Sequence, residues 1–402
     1  MHRKVVFSLA ALSCVIFITE NTGKTGNQKP LMLQNIMGTP LLSWLVSSLE
    51  TGGCGRFFLV CPEAYRETAL ACFPDRVSVT AAGGEGTSDL LHVFLSTAEV
   101  EEKEVTIITQ PVLILPKSAT PDFRNAPVPT RAFAVSKRAL MSALDDSFSF
   151  QEFFVEHGRP MTDRDGWYTI SSAEELADWQ SICNRETLCR LARNGVEIWD
   201  YSNCYVDPDV FVGPGTVLLP GTVLKSGTVI GRNCRIGPNA YIERSKIDDG
   251  TTVNASQIYE SIIGAQTTVG PFAYIRPGTV VGKNCRVGDF VELKNSTIGD
   301  GTKVSHLTYV GDSDVGAGVN FGCGTVTVNY DRAQKHRTVI GNNCFIGCNT
   351  NLVAPVTLGD GAYTAAGSTI TQNVPEDALA IERGQMTVKK DWAKTHKVKE
   401  KK

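Results

Sequence analysis

The chain has 402 residues, 42% of them hydrophobic and 20% charged, with a formal net charge of −3. That length suits two or three domains, and the balance is that of a soluble globular protein and argues against a nucleic-acid binder. Twelve cysteines occur without a C-x-x-C pair, which argues against zinc knuckles and a compact disulfide framework and suits reduced thiols in a cytoplasmic protein.

The N-terminus, "MHRKVVFSLAALSCVIFI", has a basic start and an apolar run. A signal peptide and a buried first strand of an α/β domain both read this way. No small-x-small cleavage site precedes the polar "TENTGKTGNQK", which favours the strand. No later stretch is long and apolar enough to span a membrane. Residues 1–170 go on to mix short apolar runs, Phe57 to Val60 and Val105 to Ile108, with helical segments such as Leu41 to Leu49. Strands alternating with helices predict an α/β domain. A connecting helix is predicted over 173–194 within a linker spanning 171–200. Ser171 and Glu174 form its capping box and Gly195 its stop.

From about 204 the pattern changes. Aliphatic residues recur every sixth position at Val206, Val212, Leu218, Leu224, Ile230, Ile236 and Ile242. After some shorter steps the rhythm returns at Val269, Ile275, Val281, Val287 and Leu293, and again at Ile340, Ile346, Leu352 and Leu358, with Thr364 in phase, then Ile370. This is the hexapeptide repeat of a parallel β-helix. Each unit supplies a short strand and a tight corner; three units make a triangular turn, and turns stack at about 4.8 Å. We assign 201–383 to this domain and 384–402 to a basic tail. The polar "VNYDRAQKHRTV" between Thr327 and Ile340 breaks the period and reads as a loop on the prism, a common place for ligand contacts.

The motifs "IRPG", "VELK", "HLTYVGD", "NYD" and "LVAPV", in that order, closely resemble the acetyltransferase half of the bacterial bifunctional N-acetylglucosamine-1-phosphate uridyltransferase / glucosamine-1-phosphate N-acetyltransferase family. The resemblance covers roughly 196–395. It implies a left-handed prism, acetyl-CoA as co-substrate rather than a tightly bound cofactor, and a homotrimer with sites between neighbouring prisms. It also implies a role in UDP-N-acetylglucosamine and peptidoglycan precursor synthesis. An amine becomes nucleophilic only on losing a proton, and His306 matches the family's general base. Arg276 and Lys294 match its phosphate-binding cations. Tyr309, Asn320, Asn329, Tyr330 and Lys335 match residues that hold the sugar phosphate. Glu292 shares a strand face with Lys294 and is expected to orient that ammonium or the imidazole. Cys348, Ala366 and Arg383 match acetyl-CoA contacts, with Cys348 standing where the family commonly has Ser, so that a weaker hydrogen-bond donor faces the thioester. The basic tail would then meet the phosphates of CoA.

The first 170 residues resemble that family's nucleotidyltransferase domain with its chemistry removed. Glu20 and Thr22 replace glycines of the phosphate loop, Lys24 falls at its arginine, and Leu31 replaces the lysine of P-K. "GTSDL" stands where the family has G-T-x-H-A, and no Asp occurs between Asp89 and Asp122, where a metal-binding G-D-x-P belongs. Mg²⁺ wants hard oxygen ligands, so neither Mg²⁺ binding nor nucleotide transfer is expected. Three alternatives remain: a fully bifunctional enzyme that also makes UDP-N-acetylglucosamine from UTP, a non-catalytic scaffold or regulatory protein, and a zinc carbonic anhydrase on the same prism. The last needs three histidines per metal, and the repeats carry only His306 and His336.

Overall fold

A computed structural model of the chain describes residues 13–18, 29–83, 104–108, 112–114, 132–136, 138–139, 158–161, 166–170 and 172–396. The chain divides into two compact units between Thr187 and Leu188.

In the first unit Ser13–Phe17 is a fully buried strand. It pairs in parallel with Arg56–Cys61 on one side and Glu104–Ile108 on the other. Ser78–Gly83 extends the parallel edge, while Ala132–Ser136 joins Glu104–Ile108 antiparallel. The described part of the N-terminal apolar run is thus a central strand. Its unbroken hydrophobicity reflects a sheet covered on both faces. The helix Leu41–Thr51 turns Leu41, Leu42, Leu45, Val46 and Leu49 into the core. Leu31 is buried in the same apolar cluster, so the side chain at the expected lysine position is part of the packing. Residues 20–24, the "GTSDL" segment and residues 109–111 lie outside the described residues.

The predicted connecting helix is Ala173–Arg193. The Ser172 hydroxyl caps it by accepting the Glu175 N–H at 3.1 Å; Ser171, the expected cap, lies outside the described residues. Gly195, at φ +88°, closes the helix end in a conformation that glycine adopts without strain. Leu176, Trp179 and Cys183 belong to the first unit's apolar cluster, and Leu188 and Leu191 to the second unit's.

The second unit is a parallel β-helix of three sheets with eleven, ten and nine strands. They are called here the first, second and third sheets. Each short strand pairs in register with its equivalent one coil later, as Val206 with Leu224 and Ile275 with Leu293. Every aliphatic residue of the hexapeptide phase is buried in one continuous column, and Thr364 is buried in phase with them. Burying each such side chain stabilises by about 1.5–3 kcal/mol, so the repeat is the core. Buried threonines satisfy corner carbonyls, as where Thr222 Oγ1 donates to Leu219 O at 2.7 Å. The segment between Val328 and Thr338 leaves the prism as a loop. There the Asp331 carboxylate accepts the N–H groups of Ala333 and Gln334 at 2.8 and 2.7 Å and meets His336 Nε2 at 2.7 Å. Residues 381–396 are exposed, with a short helix at Trp392–Thr395. Among the described residues no helix is long and apolar enough to cross a membrane.

Candidate functional site

On the outer face of the second sheet, pairing sets Arg276 beside Lys294 and Glu292 beside Tyr309, while Leu293 points into the prism. Arg276 Nη1 donates to Glu292 Oε1 at 2.8 Å. Lys294 Nζ reaches Asp312 Oδ2 at 3.4 Å. Asp312 is almost wholly buried at a corner; its carboxylate also accepts Asn295 Nδ2 at 2.6 Å and the side-chain amide of Asn329. Burial opposes ionisation of Asp312. The amides of Asn295 and Asn329 and the Lys294 ammonium outweigh it and hold the carboxyl below its ordinary range. Asn329 Nδ2 lies 3.4 Å from Tyr309 Oη.

Lys335 comes to this cluster from the loop, where its backbone bridges Tyr330. Its amine is held below the usual lysine range by the hydrogen-bonding contact and charge of Lys294, with Arg276 contributing. Three cationic side chains thus converge on one face. The same contact raises the Lys294 amine, and Arg276 and Lys294 are already paired with Glu292 and Asp312, so the repulsion falls on Lys335 and is relieved when an anion sits among them. The loop that carries Lys335 is pinned through Asp331, whose carboxyl is pushed down to about 2, first by the Gln334 N–H and then by His336. One glycine is required here. A Cβ on Gly311 would stand 2.3 Å from Tyr309 Oη, so the tyrosine ring lies across a space that only glycine leaves open.

The imidazole stands around the corner, at the end of the first-sheet strand Lys303–His306. His306 Nδ1 lies 2.6 Å from Asp289 Oδ1, and the two residues are in-register partners on adjacent coils. The hydrogen bond from His306 holds the Asp289 carboxyl below its ordinary value. The same register, carried along the corner, sets Cys323 beside His306, then Cys348 beside Cys323, then Ala366 beside Cys348. Backbone bonds confirm the stacking: Gly324 N donates to Leu307 O at 3.1 Å, Asn349 N to Cys323 O at 2.8 Å, and Gly367 N to Cys348 O at 2.7 Å. The Arg383 side chain approaches Gly367. Carboxylate, imidazole and the three expected acetyl-CoA contacts therefore follow one edge of the prism.

The structure thus brings Arg276, Lys294, Tyr309, Asn329 and Lys335 together, and aligns His306 with Cys348, Ala366 and Arg383. Asn320 is half-buried on the first sheet beside Lys303. Tyr330 is exposed, with its hydroxyl donated to Arg332 O at 2.7 Å. Glu292 corrects an expectation: it grips Arg276, while Asp312 takes the Lys294 ammonium and Asp289 takes the imidazole. Sequence reasoning missed both aspartates. The available signal was their spacing, since each lies one coil from its partner. His306 and His336 each pair with their own carboxylate. Among the described residues no three His, Cys, Asp or Glu side chains gather as a metal site would require. All twelve cysteines are free.

Two family models match the repeats: the GMPPB C-terminal domain over residues 201–280 and the bacterial transferase hexapeptide (six repeats) over 337–372. Over 223 residues the chain is 52% identical to Bifunctional protein GlmU of Clostridium kluyveri, covering 56% of this chain and 49% of that one. The same protein of Clostridium acetobutylicum is 57% identical over 223 residues, again 56% and 49% of the two chains. That of Acetivibrio thermocellus is 51% identical, covering 56% and 48%. The chain spans about half the length of the curated relatives it matches. Among solved structures, the inositol-1-phosphate CTP transferase from T. maritima aligns with 43% of this chain and 95% of its own at a TM-score of 0.33 and 15% identity. That likeness is too slight to carry an argument. Over the matched stretch, the chain is related to the bifunctional GlmU family.

Proposed function

We propose that the β-helix unit transfers the acetyl group of acetyl-CoA to the amine of glucosamine-1-phosphate, giving N-acetylglucosamine-1-phosphate for UDP-N-acetylglucosamine synthesis. The observation that carries this reading is the Asp289–His306 pair, at 2.6 Å, on the prism edge that also bears Cys348 and Ala366. Asp289 accepts the proton on Nδ1, which leaves Nε2 free as the base. The sugar ammonium gives a proton to Nε2, and its nitrogen then attacks the thioester carbonyl. The carbon–sulfur bond breaks as the nitrogen gives up a second proton to the departing sulfur, and CoA leaves as a thiol. Arg276, Lys294 and Lys335 grip the sugar phosphate, with Arg276 able to offer two parallel donors. Tyr309 and Asn329 bear on the sugar.

The active form in this reading is a homotrimer. Phe272 and Phe290, stacked at 5.4 Å, and Leu307 make an exposed apolar ridge on the same corner, which suits burial against a neighbouring copy. The first unit, in the same reading, keeps its fold without nucleotide transfer, as the departures at Glu20, Thr22, Lys24 and Leu31 suggest.

The test is acetyl-CoA consumption across a panel of amino-sugar phosphates, with free glucosamine as control. Turnover that depends on both amine and phosphate is expected; equal turnover of free glucosamine would overturn the phosphate assignment. Steady pyrophosphate release from UTP, Mg²⁺ and N-acetylglucosamine-1-phosphate would make the chain bifunctional and defeat the reading of the first unit.

A further inference from the structure

Cys323 and Cys348 stand apart from the other thiols. Nine of the twelve cysteines are buried; Cys348 is exposed, and Cys323 and Cys189 are half-buried. Cys323 and Cys348 are in-register neighbours on adjacent coils, as the pairing of Asn320 with Phe345 and Phe321 with Ile346 dictates. Asn349 N donates to Cys323 O at 2.8 Å, and a Cβ on the preceding Gly322 would come within 2.8 Å of Cys348 Cα. Adjacent coils put equivalent Cα atoms about 4.8 Å apart, inside the window of about 4.4–6.8 Å that a disulfide spans. The loop between Val328 and Thr338 separates the two cysteines in sequence and hides this spacing from a reading of the repeat. On the other side of Cys323, one coil back, is His306.

We infer that Cys323 and Cys348 form an oxidisable dithiol, a modification site for peroxide-class oxidants that closes the acetyl-donor edge by forming a disulfide. The placement on the donor edge rests on the acetyltransferase reading; the dithiol does not. One sulfur, as thiolate, attacks a peroxide oxygen. The O–O bond breaks, and the departing hydroxide takes a proton to leave as water. The second thiol then attacks the resulting sulfenic sulfur, forming the S–S bond as the S–O bond breaks and releasing a second water. Two electrons pass from the two thiols to the peroxide, and a thiol reductant reverses the change. Exposure favours Cys348 as the first sulfur. The bond would fill the space where the thioester is to lie and displace the acetyl donor by about 1 Å. Misplacement on that scale lowers acetyl transfer by on the order of tenfold to a hundredfold.

The experiment treats the 402-residue chain with hydrogen peroxide and reads intact mass, fragmentation spectra of the unreduced tryptic peptides, which tell Cys344 from Cys348, and acetyl-CoA consumption. The expected product is lighter by two hydrogen atoms, with the peptide carrying Cys323 joined to that carrying Cys348, and activity lost until a thiol reductant is added. The variant Cys323→Ala keeps basal activity, forms no link, and carries oxygen on Cys348 instead. Saturating acetyl-CoA slows the link. Both thiols still open to maleimide after peroxide, or a link formed through Cys344 or Cys189 instead, would overturn the inference. A link formed equally fast with and without acetyl-CoA would keep the dithiol but overturn its place at the donor edge.

Discussion

The substitution Asp312→Asn changes the site's hidden support while nearly preserving its shape. Asp312 accepts from Asn295 and Asn329 and faces the Lys294 ammonium at 3.4 Å. A hydrogen bond to a charged group is worth about 1.5–3 kcal/mol and a neutral one about 0.5–1.5. Two bonds therefore weaken by about 1 kcal/mol each, and the new amide sets an N–H group against one of three donors. Losing the partner of Lys294 adds about 1 kcal/mol. The sum is about 3 kcal/mol, read as a shift in the denaturant midpoint of the β-sheet circular dichroism transition at constant slope. The Asp312 carboxyl is held below its ordinary value in the folded chain. Its contribution is thus fully present above the unfolded carboxyl's pKa of about 3.9. It is lost as pH falls through the lower folded value, so the gap between wild type and variant narrows in acid. A difference under about 0.5 kcal/mol at neutral pH, the range of ordinary surface changes, would refute the role given to Asp312. A gap that widens in acid would refute it too.

Asp289→Asn removes the carboxylate that orients the imidazole, and kcat is expected to fall on the order of tenfold or more with little change in the KM for sugar phosphate; a changed KM with unchanged kcat would contradict that assignment. Gly311→Ala puts a methyl group where Tyr309 Oη now lies, so the KM for the acceptor should rise while acetyl-CoA binding is unchanged, both read by steady-state kinetics. Arg276→Ala should raise the KM for the sugar phosphate more than Arg276→Lys does, and Arg276→Lys should still raise it, because lysine keeps the charge and loses the paired donors; a lysine variant with the wild-type KM would deny a bidentate grip.

The prism was legible because its determinant is periodic. One buried aliphatic per hexapeptide marks strand, phase and inward face together, and Val206, Ile275 and Ile346 lie where that phase puts them. The resemblance supplied His306 and the cations, but the groups that support them were hidden. Asp289 meets His306, and Asp312 meets Lys294, only because stacking sets successive coils side by side. Glu292 shares a strand with Lys294, and that nearness in sequence misled; the diagonal to Arg276 on the neighbouring coil prevailed. The N-terminal run was ambiguous because a strand covered on both faces has no alternation to read.

The most direct measurement is the rate of acetyl transfer to glucosamine-1-phosphate by His306→Ala beside the wild type, at matched circular dichroism. The account predicts a fall of about 10²–10⁴-fold. A variant that turns over within about twofold of the wild type, still folded, would contradict it.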